Sequence, residues 1–149
     1  MKTPPGRSDF VFFHTLRVRW AEVDLQKIVF NPHYFTYFDC AVTEYMRTIG
    51  FPYPDGFAAL GTDTFAVNAI ANFRASARYD DLLDIGARVA HIGRTSFRVE
   101  LGVFRHDELL VDGALVYVNG ALDTHTPQPV PQSFIERVAA WERIAPTRT

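Results

Sequence analysis

The stretch VDLQKIVFNPHYFTYFDCAVTEYMRTIG, Val23 to Gly50, contains the segment that decides the fold. From Asn31 onward its large apolar residues recur at steps of three and four, which predicts an amphipathic helix. These residues are Tyr34, Phe35, Phe38, Ala41, Val42, Tyr45, Met46 and Ile49. Asn31 is a suitable N-cap, Pro32 suits the first helical position, and Gly50 is a natural C-terminal stop. Because the polar stripe is narrow, we expect other structure to wrap most of this helix.

Apolar and polar residues alternate on both sides of the predicted helix, which is typical of half-buried strands. One strand precedes the helix, beginning at Phe10 and ending at Arg19 and Trp20, with Leu16, Val18 and Trp20 on its apolar side. Four strands follow it, with predicted spans 65–77, 83–89, 97–103 and 109–122. The last span is apolar on both faces and is therefore expected inside the sheet. Short polar connections among these four strands predict hairpins, and hence antiparallel pairing.

A short helix is predicted near the C-terminus. Ser133 followed by Glu136 has the spacing of a capping box, and Phe134, Val138 and Trp141 lie on one side of the helix. A single helical turn is also expected around residues 55–60. One sheet must bury one face, and the long apolar helix is the only large element that can cover it. The predicted fold class is α+β, a curved five-stranded antiparallel sheet wrapped around one long helix, with a short C-terminal helix.

Length and composition narrow the class of protein. The 149 residues suit one domain, predicted for residues 9–145, with tails at residues 1–8 and 146–149. A net charge of −2 without a basic stripe argues against nucleic acid as a partner. No apolar run is long enough to span a bilayer and the N-terminus lacks the pattern of a signal peptide, so no membrane is expected. The single cysteine, Cys40, fits a reducing compartment, and a cytoplasmic location is expected.

Together these features resemble the hotdog fold, and in particular the 4-hydroxybenzoyl-CoA thioesterase family. The resemblance rests mainly on the segment from Asp24 to Gly50, where an acid and a short turn precede an apolar pair and a helix rich in Tyr and Phe. Two weaker matches are YDDL at residues 79–82 and GRTSF at residues 93–97. The chain departs from the family at Lys27, where glycine is common and eases an unusual backbone angle.

The resemblance implies an acyl-CoA thioesterase that hydrolyses an acyl- or aroyl-CoA to a free acid and coenzyme A, without metal or bound cofactor. In that enzyme Asp24 would act as nucleophile or as general base for water. The Asn31 amide at the helix N-terminus would stabilise the oxyanion. The resemblance also implies a homodimer or homotetramer. Substrate contacts are implied for four residues: Tyr34, Arg94, Thr95 and Ser96.

Other interpretations of the same residues stay open. Asp24 is also an ordinary turn former, and Arg94 is an ordinary residue of a hairpin turn. Glu22 is the rival carboxylate, for which an ion pair with Arg19 or Lys27 is expected. A hotdog dehydratase would use a histidine with the acid, and no histidine stands at a matching position before the helix. The main alternative is a noncatalytic hotdog protein that binds acyl-CoA or small aromatic ligands, which Lys27 favours.

Overall fold

The computed structural model describes residues 3–149 of the chain. The elements, in chain order, are β1 (Phe12–Arg17), α1 (His33–Thr48), α2 (Asp55–Ala58), β2 (Thr62–Phe73), β3 (Leu82–Ile92), β4 (Ser96–Arg105), β5 (Glu108–Ala121), α3 (Gln132–Trp141) and β6 (Thr147–Arg148). Two 3-10 turns, Arg7–Asp9 and Trp20–Glu22, precede and follow β1. Residues 1 and 2 of the predicted N-terminal tail lie outside the described residues.

The sheet has the strand order β1-β3-β4-β5-β2, and every neighbouring pair on this path is antiparallel. The two-residue strand β6, which lies in the predicted C-terminal tail, pairs parallel with the end of β3. The longest strand, β5, lies inside the sheet between β4 and β2, as its apolar faces predicted. The predicted architecture, an antiparallel sheet around one long helix with a short helix after it, is confirmed.

The core forms where α1 packs into the sheet. The helix buries Tyr34, Tyr37, Phe38, Ala41, Val42, Tyr45 and Met46. Burying a large apolar side chain of this kind contributes about 1.5–3 kcal/mol. The helix approaches β5 closely at Gly113, where a Cβ atom would stand 2.7 Å from the Phe38 ring and 2.2 Å from the Ile70 carbonyl oxygen. A larger residue at position 113 would therefore push α1 and β2 away from β5.

The structure corrects both predicted helix starts. Helix α1 begins at His33, so Pro32 takes the N-cap position and Asn31 lies in the turn before it, without capping the helix. Helix α3 begins at Gln132 after Pro131, and the predicted capping box at Ser133 does not form. In both cases a proline, whose ring fixes φ near the helical value, stands where the chain enters the helix. Helix α1 ends as predicted, because Gly50 adopts a φ of +83°.

Two predicted strand ends are also wrong. The first strand ends at Arg17, and the chain then turns, so that Trp20 is 84% exposed although Val18 is buried. Strand β2 ends at Phe73, four residues before the predicted end at 77, because the Arg74 and Ala75 amides both donate to the Leu110 carbonyl. Both changes place irregular backbone at the same end of the sheet, beside the loop that enters α1.

Candidate functional site

The loop between β1 and α1 is a closed turn. Val23 and Val29 form an isolated antiparallel bridge, and the Asp24 amide donates to the Ile28 carbonyl at 3.0 Å. The Lys27 amide donates to the Asp24 carbonyl at 2.9 Å. Lys27 has a φ of +65°, the left-handed conformation that the family's glycine adopts more easily. The turn is therefore formed with lysine, at an expected cost of about 1–2 kcal/mol.

The Asp24 side chain is half-buried and helps to form this turn. Its Oδ1 atom accepts a hydrogen bond from the Gln26 amide at 2.8 Å, which is an Asx turn. Its Oδ2 atom accepts no hydrogen bond from any residue that the structure describes. One carboxylate oxygen therefore fixes the side chain, and the other is available to a ligand or to water.

The backbone at the start of α1 leaves one amide without an acceptor. The His33, Tyr34 and Phe35 amides donate to the carbonyls of Phe30, Asn31 and Pro32. Proline has no amide hydrogen, and within residues 3–149 the Asn31 amide donates to no acceptor. The positive end of the helix dipole lies at this position. The Asn31 amide is therefore suited to bind a carbonyl oxygen on which negative charge develops.

Asn31 and Tyr34 lie together at a cavity of about 210 Å³, whose lining residues are Ile28, Val29, Asn31, Tyr34, Phe73, Ala75 and Ser76. The Tyr34 ring packs against Tyr37 and Phe73, and its hydroxyl oxygen accepts a hydrogen bond from the Ala77 amide at 3.2 Å. Burial raises the pKa of the Tyr34 hydroxyl. Tyr34 is therefore a fixed, neutral wall of the cavity. Asp24 does not line this cavity in the single chain.

The residues predicted to bind coenzyme A lie far from Asp24. Arg94 and Thr95 occupy the β3–β4 turn, Ser96 begins β4, and Arg94 is exposed. Strand β3 begins at Leu82, which pairs with Arg17 at the Asp24 end, and its 11 residues lead to this turn. At the rise of an extended strand this length corresponds to about 35 Å. A single chain therefore does not bring Arg94 and Asp24 together.

Strand β2 connects these two ends of the molecule. Among residues 3–149 it pairs only with β5, along one side, and its large exposed residues are Val67, Ile70 and Phe73. Phe73 lines the cavity at Asn31. At the other end of β2, Phe65 pairs with Val118, and Val118 pairs on its opposite side with Ser96. The unpaired edge of β2 thus runs from the candidate site to the neighbourhood of the Arg94 turn.

Comparison with known proteins assigns the family. The family model described as "Thioesterase superfamily" matches residues 26–111, more than half of the chain. The chain belongs to the thioesterase superfamily. The matched residues include Asn31, Tyr34 and the Arg94 turn, and they begin two positions after Asp24. A relative from Aquifex aeolicus (strain VF5), named "Putative esterase", is 31% identical over 96 residues, which are 64% of this chain and 74% of the relative.

Solved structures of thioesterases share the fold of this chain. A thioesterase from Thermus thermophilus, complexed with coenzyme A and Zn, is 25% identical, covers 90% of this chain and 96% of its own, and has a TM-score of 0.77. A DHNA-CoA thioesterase from Staphylococcus aureus is 20% identical, covers 86% of this chain and 88% of its own, and has a TM-score of 0.78. The hotdog fold predicted from the sequence is confirmed.

The sequence predicts an ion pair for Glu22 but does not predict its burial or its contact with α1. The predicted pairing with Arg19 exists, but Glu22 lies in a 3-10 turn and is only 7% exposed. Its carboxylate also accepts a hydrogen bond from the Tyr37 hydroxyl at 2.9 Å. Burial acts to raise the pKa of Glu22, but the hydrogen bonds from Arg19 and Tyr37 outweigh burial and lower it. Glu22 is therefore a buried, charged link between this turn and α1.

A second cavity of about 260 Å³, also not predicted, lies farther along α1, and its lining residues are Asp39, Val42, Thr43, Met46, Tyr53, Thr64, Ala66 and Tyr117. Thr64 and Ala66 place it at the end of β2 opposite Phe73. Its polar groups include one carboxylate and two phenols. In the described part of the chain no cluster of three or more His, Cys, Asp or Glu side chains could hold a metal ion. None of the described helices is long and apolar enough to cross a membrane.

Proposed function

We propose that this protein is an acyl-CoA thioesterase that hydrolyses an acyl- or aroyl-CoA to the free acid and coenzyme A. Membership of the thioesterase superfamily supports thioester hydrolysis. The relative with bound coenzyme A supports the class of thioester. The observation that carries the proposal is the loop before α1, where, among the described residues 3–149, the Asn31 amide has no acceptor and one carboxylate oxygen of Asp24 has no donor.

In this proposal the two groups act on one thioester carbonyl. The Asn31 amide donates to the carbonyl oxygen, and the helix dipole favours the negative charge that forms there. Asp24 takes a proton from water, the resulting hydroxide adds to the carbonyl carbon, and the C–S bond then breaks. The coenzyme A thiolate leaves and takes the proton from Asp24. Alternatively, Asp24 itself adds to the carbon, the C–S bond breaks and coenzyme A leaves as its thiolate; water then hydrolyses the resulting anhydride, which releases the free acid, restores the Asp24 carboxylate and supplies the proton that the thiolate takes up.

The two cavities along α1 support a site shared by two chains. At about 210 Å³ and 260 Å³, each is smaller than the roughly 300–1,000 Å³ of common ligand sites. An unpaired apolar edge such as that of β2 favours pairing with a second strand. Antiparallel pairing of two β2 edges would place the Phe73 end of one chain beside the Thr64 end of its partner. We therefore expect at least a homodimer, in which each site has walls from both chains.

The same pairing would explain how the Arg94 turn, which is distant from Asp24 in its own chain, could take part in a site. In the pair, the Arg94 turn of one chain would lie toward the Asp24 end of the other. Arginine binds phosphate well because it is always charged and offers a planar fork of donors. Arg94, Thr95 and Ser96 would then contact the nucleotide or pantetheine part of a coenzyme A whose thioester lies at the partner's Asn31 amide. Tyr34 would contact the acyl or aroyl group.

A thiol-release assay tests the proposal. The purified protein is incubated with straight-chain, branched and aroyl thioesters of coenzyme A, and free thiol is measured with a coupled chromogenic reagent. We expect saturable release from at least one thioester. Glu136→Gln, which removes an exposed carboxylate of α3, serves as a matched control and should behave like the wild type. Saturable acyl-CoA binding without thiol release from any thioester would instead identify a noncatalytic binding protein.

A further inference from the structure

We propose that Glu22 is a positioning residue, whose buried carboxylate fixes the loop that carries Asp24 against the start of α1. This inference rests on the proposed function, because it gives Glu22 a role only through Asp24 and Asn31. Glu22 precedes Asp24 by two residues, and its side chain points into the protein.

The carboxylate of Glu22 joins two elements of the site. Its Oε1 atom accepts hydrogen bonds from the Arg19 amide at 2.8 Å and from the Tyr37 hydroxyl at 2.9 Å. Its Oε2 atom accepts from the Arg19 guanidinium at 3.0 Å. Arg19 precedes the 3-10 turn, and Tyr37 lies on α1. One oxygen atom thus holds the backbone before the loop and the helix after it at a fixed separation.

The main chain of Glu22 closes the same loop at its base. Its carbonyl accepts a hydrogen bond from the Phe30 amide at 2.9 Å, and Phe30 directly precedes Asn31. The next pair inward is the Val23–Val29 bridge. Asp24 is two residues from Glu22 and Asn31 is one residue from Phe30. The Glu22–Phe30 hydrogen bond therefore sets the spacing of the two segments that carry them. A shift of this residue would change the distance between the carboxylate and the amide.

A buried charge is a costly way to hold two elements together. Removing an ion pair from water has a large desolvation cost, and apolar replacements of similar size are often neutral or stabilising. A carboxylate has a different advantage, which is geometric precision. Its two oxygens accept three or more directional hydrogen bonds, and these fix the relative positions of two elements more narrowly than an apolar contact does. Tyr37 also packs edge-on against Tyr34, so the contact extends to the cavity wall at Asn31.

The test combines Glu22→Gln with Asp24→Asn. Gln keeps the shape of Glu, but whichever oxygen its amide nitrogen replaces, that nitrogen would face a donor of Arg19. We expect kcat on the best coenzyme A thioester to fall about tenfold to a hundredfold, as small misplacements of a reacting group do. We expect KM to change by less than about twofold. In the Asp24→Asn background the same substitution should have no further effect on kcat, because the group that Glu22 positions is already absent.

Tyr37→Phe is a second variant for the case in which Glu22→Gln does not fold. It removes one of the hydrogen bonds to Glu22 and keeps the ring that packs against Tyr34. We expect a fall in kcat of about tenfold at constant KM, the lower end of what one hydrogen bond to a charged group contributes. Faster hydrogen exchange at the Phe30 amide should accompany it, since the Glu22–Phe30 bond closes the loop.

The outcomes separate this inference from the proposed function. Wild-type kcat in folded Glu22→Gln or in Tyr37→Phe, together with a loss in Asp24→Asn, would overturn the inference and leave the proposed function standing. An equal loss from Glu22→Gln with and without Asp24→Asn would show that Glu22 acts independently of Asp24, which also overturns it. Full activity in Asp24→Asn would reject the proposed role of Asp24, and the inference with it, whereas no thiol release from any thioester by the wild type would reject the proposed function.

Discussion

The Glu142 carboxylate, directly after α3, accepts hydrogen bonds from the Tyr45 hydroxyl of α1 at 3.2 Å and from the Val89 amide of β3 at 3.1 Å. It therefore joins the C-terminal segment to the central helix and the sheet. Burial raises the pKa of Glu142 to about 7, although these hydrogen bonds and the charges of Arg88 and Arg143 act to lower it. The stability of the fold should therefore depend on whether the Glu142 carboxyl group is protonated.

We expect Glu142 to make the protein less stable as the pH rises. Its pKa in the folded chain is about 7, above the ordinary value of 4.5, so between these values the folded state binds more protons than the unfolded state. Stability falls with rising pH in that window. Glu142→Gln keeps an acceptor oxygen and has no charge. Thermal unfolding should give the variant a higher Tm than the wild type at about pH 8 and a similar Tm at about pH 5; a constant Tm difference would contradict this.

Lys27→Gly should stabilise the loop slightly. The left-handed φ of +65° at Lys27 costs less for glycine, but glycine also gains more freedom in the unfolded chain. We expect a gain of up to about 1 kcal/mol in the free energy of unfolding, measured by urea denaturation. Lys27→Met removes the charge and keeps the Cβ atom, and it should leave stability near the wild-type value. An equal gain in both variants would mean that the charge, and not the backbone, carries the cost.

Arg94→Ala should weaken substrate binding without slowing turnover. If Arg94 contacts a coenzyme A phosphate, losing that contact affects the ground state and the transition state equally. We expect KM for the coenzyme A thioester to rise about tenfold, the size of one hydrogen bond to a charged group, with kcat little changed. The KM for a thioester of pantetheine, which lacks the nucleotide, should not change in Arg94→Ala. Arg137→Ala on α3 is the control and should leave the KM for both substrates unchanged. Equal losses on both thioesters would show that Arg94 acts in another way.

The wild-type protein should be at least a dimer, and the edge of β2 should be the contact. Val67 on this edge is 59% exposed, and a lysine on an edge strand opposes pairing with another strand. Light scattering should therefore show a dimer or tetramer for the wild type and monomers for Val67→Lys. Ile144→Lys, at a site that is 41% exposed near the C-terminus, is the control and should not dissociate. A stable wild-type monomer at micromolar concentration would contradict the expected assembly.

The periodicity of the sequence was sufficient to predict the elements and their order. Buried residues on one face of a helix recur at steps of three and four. The apolar arc of α1 from Tyr34 to Ile49 could therefore be identified without knowing which strands it packs against. The helix starts could not be identified in this way. Proline is favoured at the first helical position, but Pro32 and Pro131 each stand one residue earlier, at the N-cap. Trp20 was misplaced because alternation continues in the sequence beyond the last paired residue of β1.

Only the part of the candidate site that lies within one short stretch of sequence could be predicted. Asp24 and Asn31 share one loop, so the sequence predicted that they lie close together, and their proposed common role came from the resemblance to the 4-hydroxybenzoyl-CoA thioesterase family. The hydrogen bond between Glu22 and Tyr37 joins residues of different elements, and no periodic pattern predicts it. The separation of Arg94 from Asp24 depends on the register of β3, and in the proposed dimer the second wall of the site would come from another chain. Neither can be derived from the pattern of one sequence.

The central claim is that Asp24 acts on the thioester, and turnover by Asp24→Asn tests it most directly. Asparagine can still accept the hydrogen bond from the Gln26 amide, so the turn and the Tm should be preserved. The charge and the basicity are lost. We predict that kcat on the best thioester falls by at least ~100-fold, the lower end for losing a general base, while coenzyme A binding is unchanged. Near-wild-type kcat in folded Asp24→Asn would contradict the account.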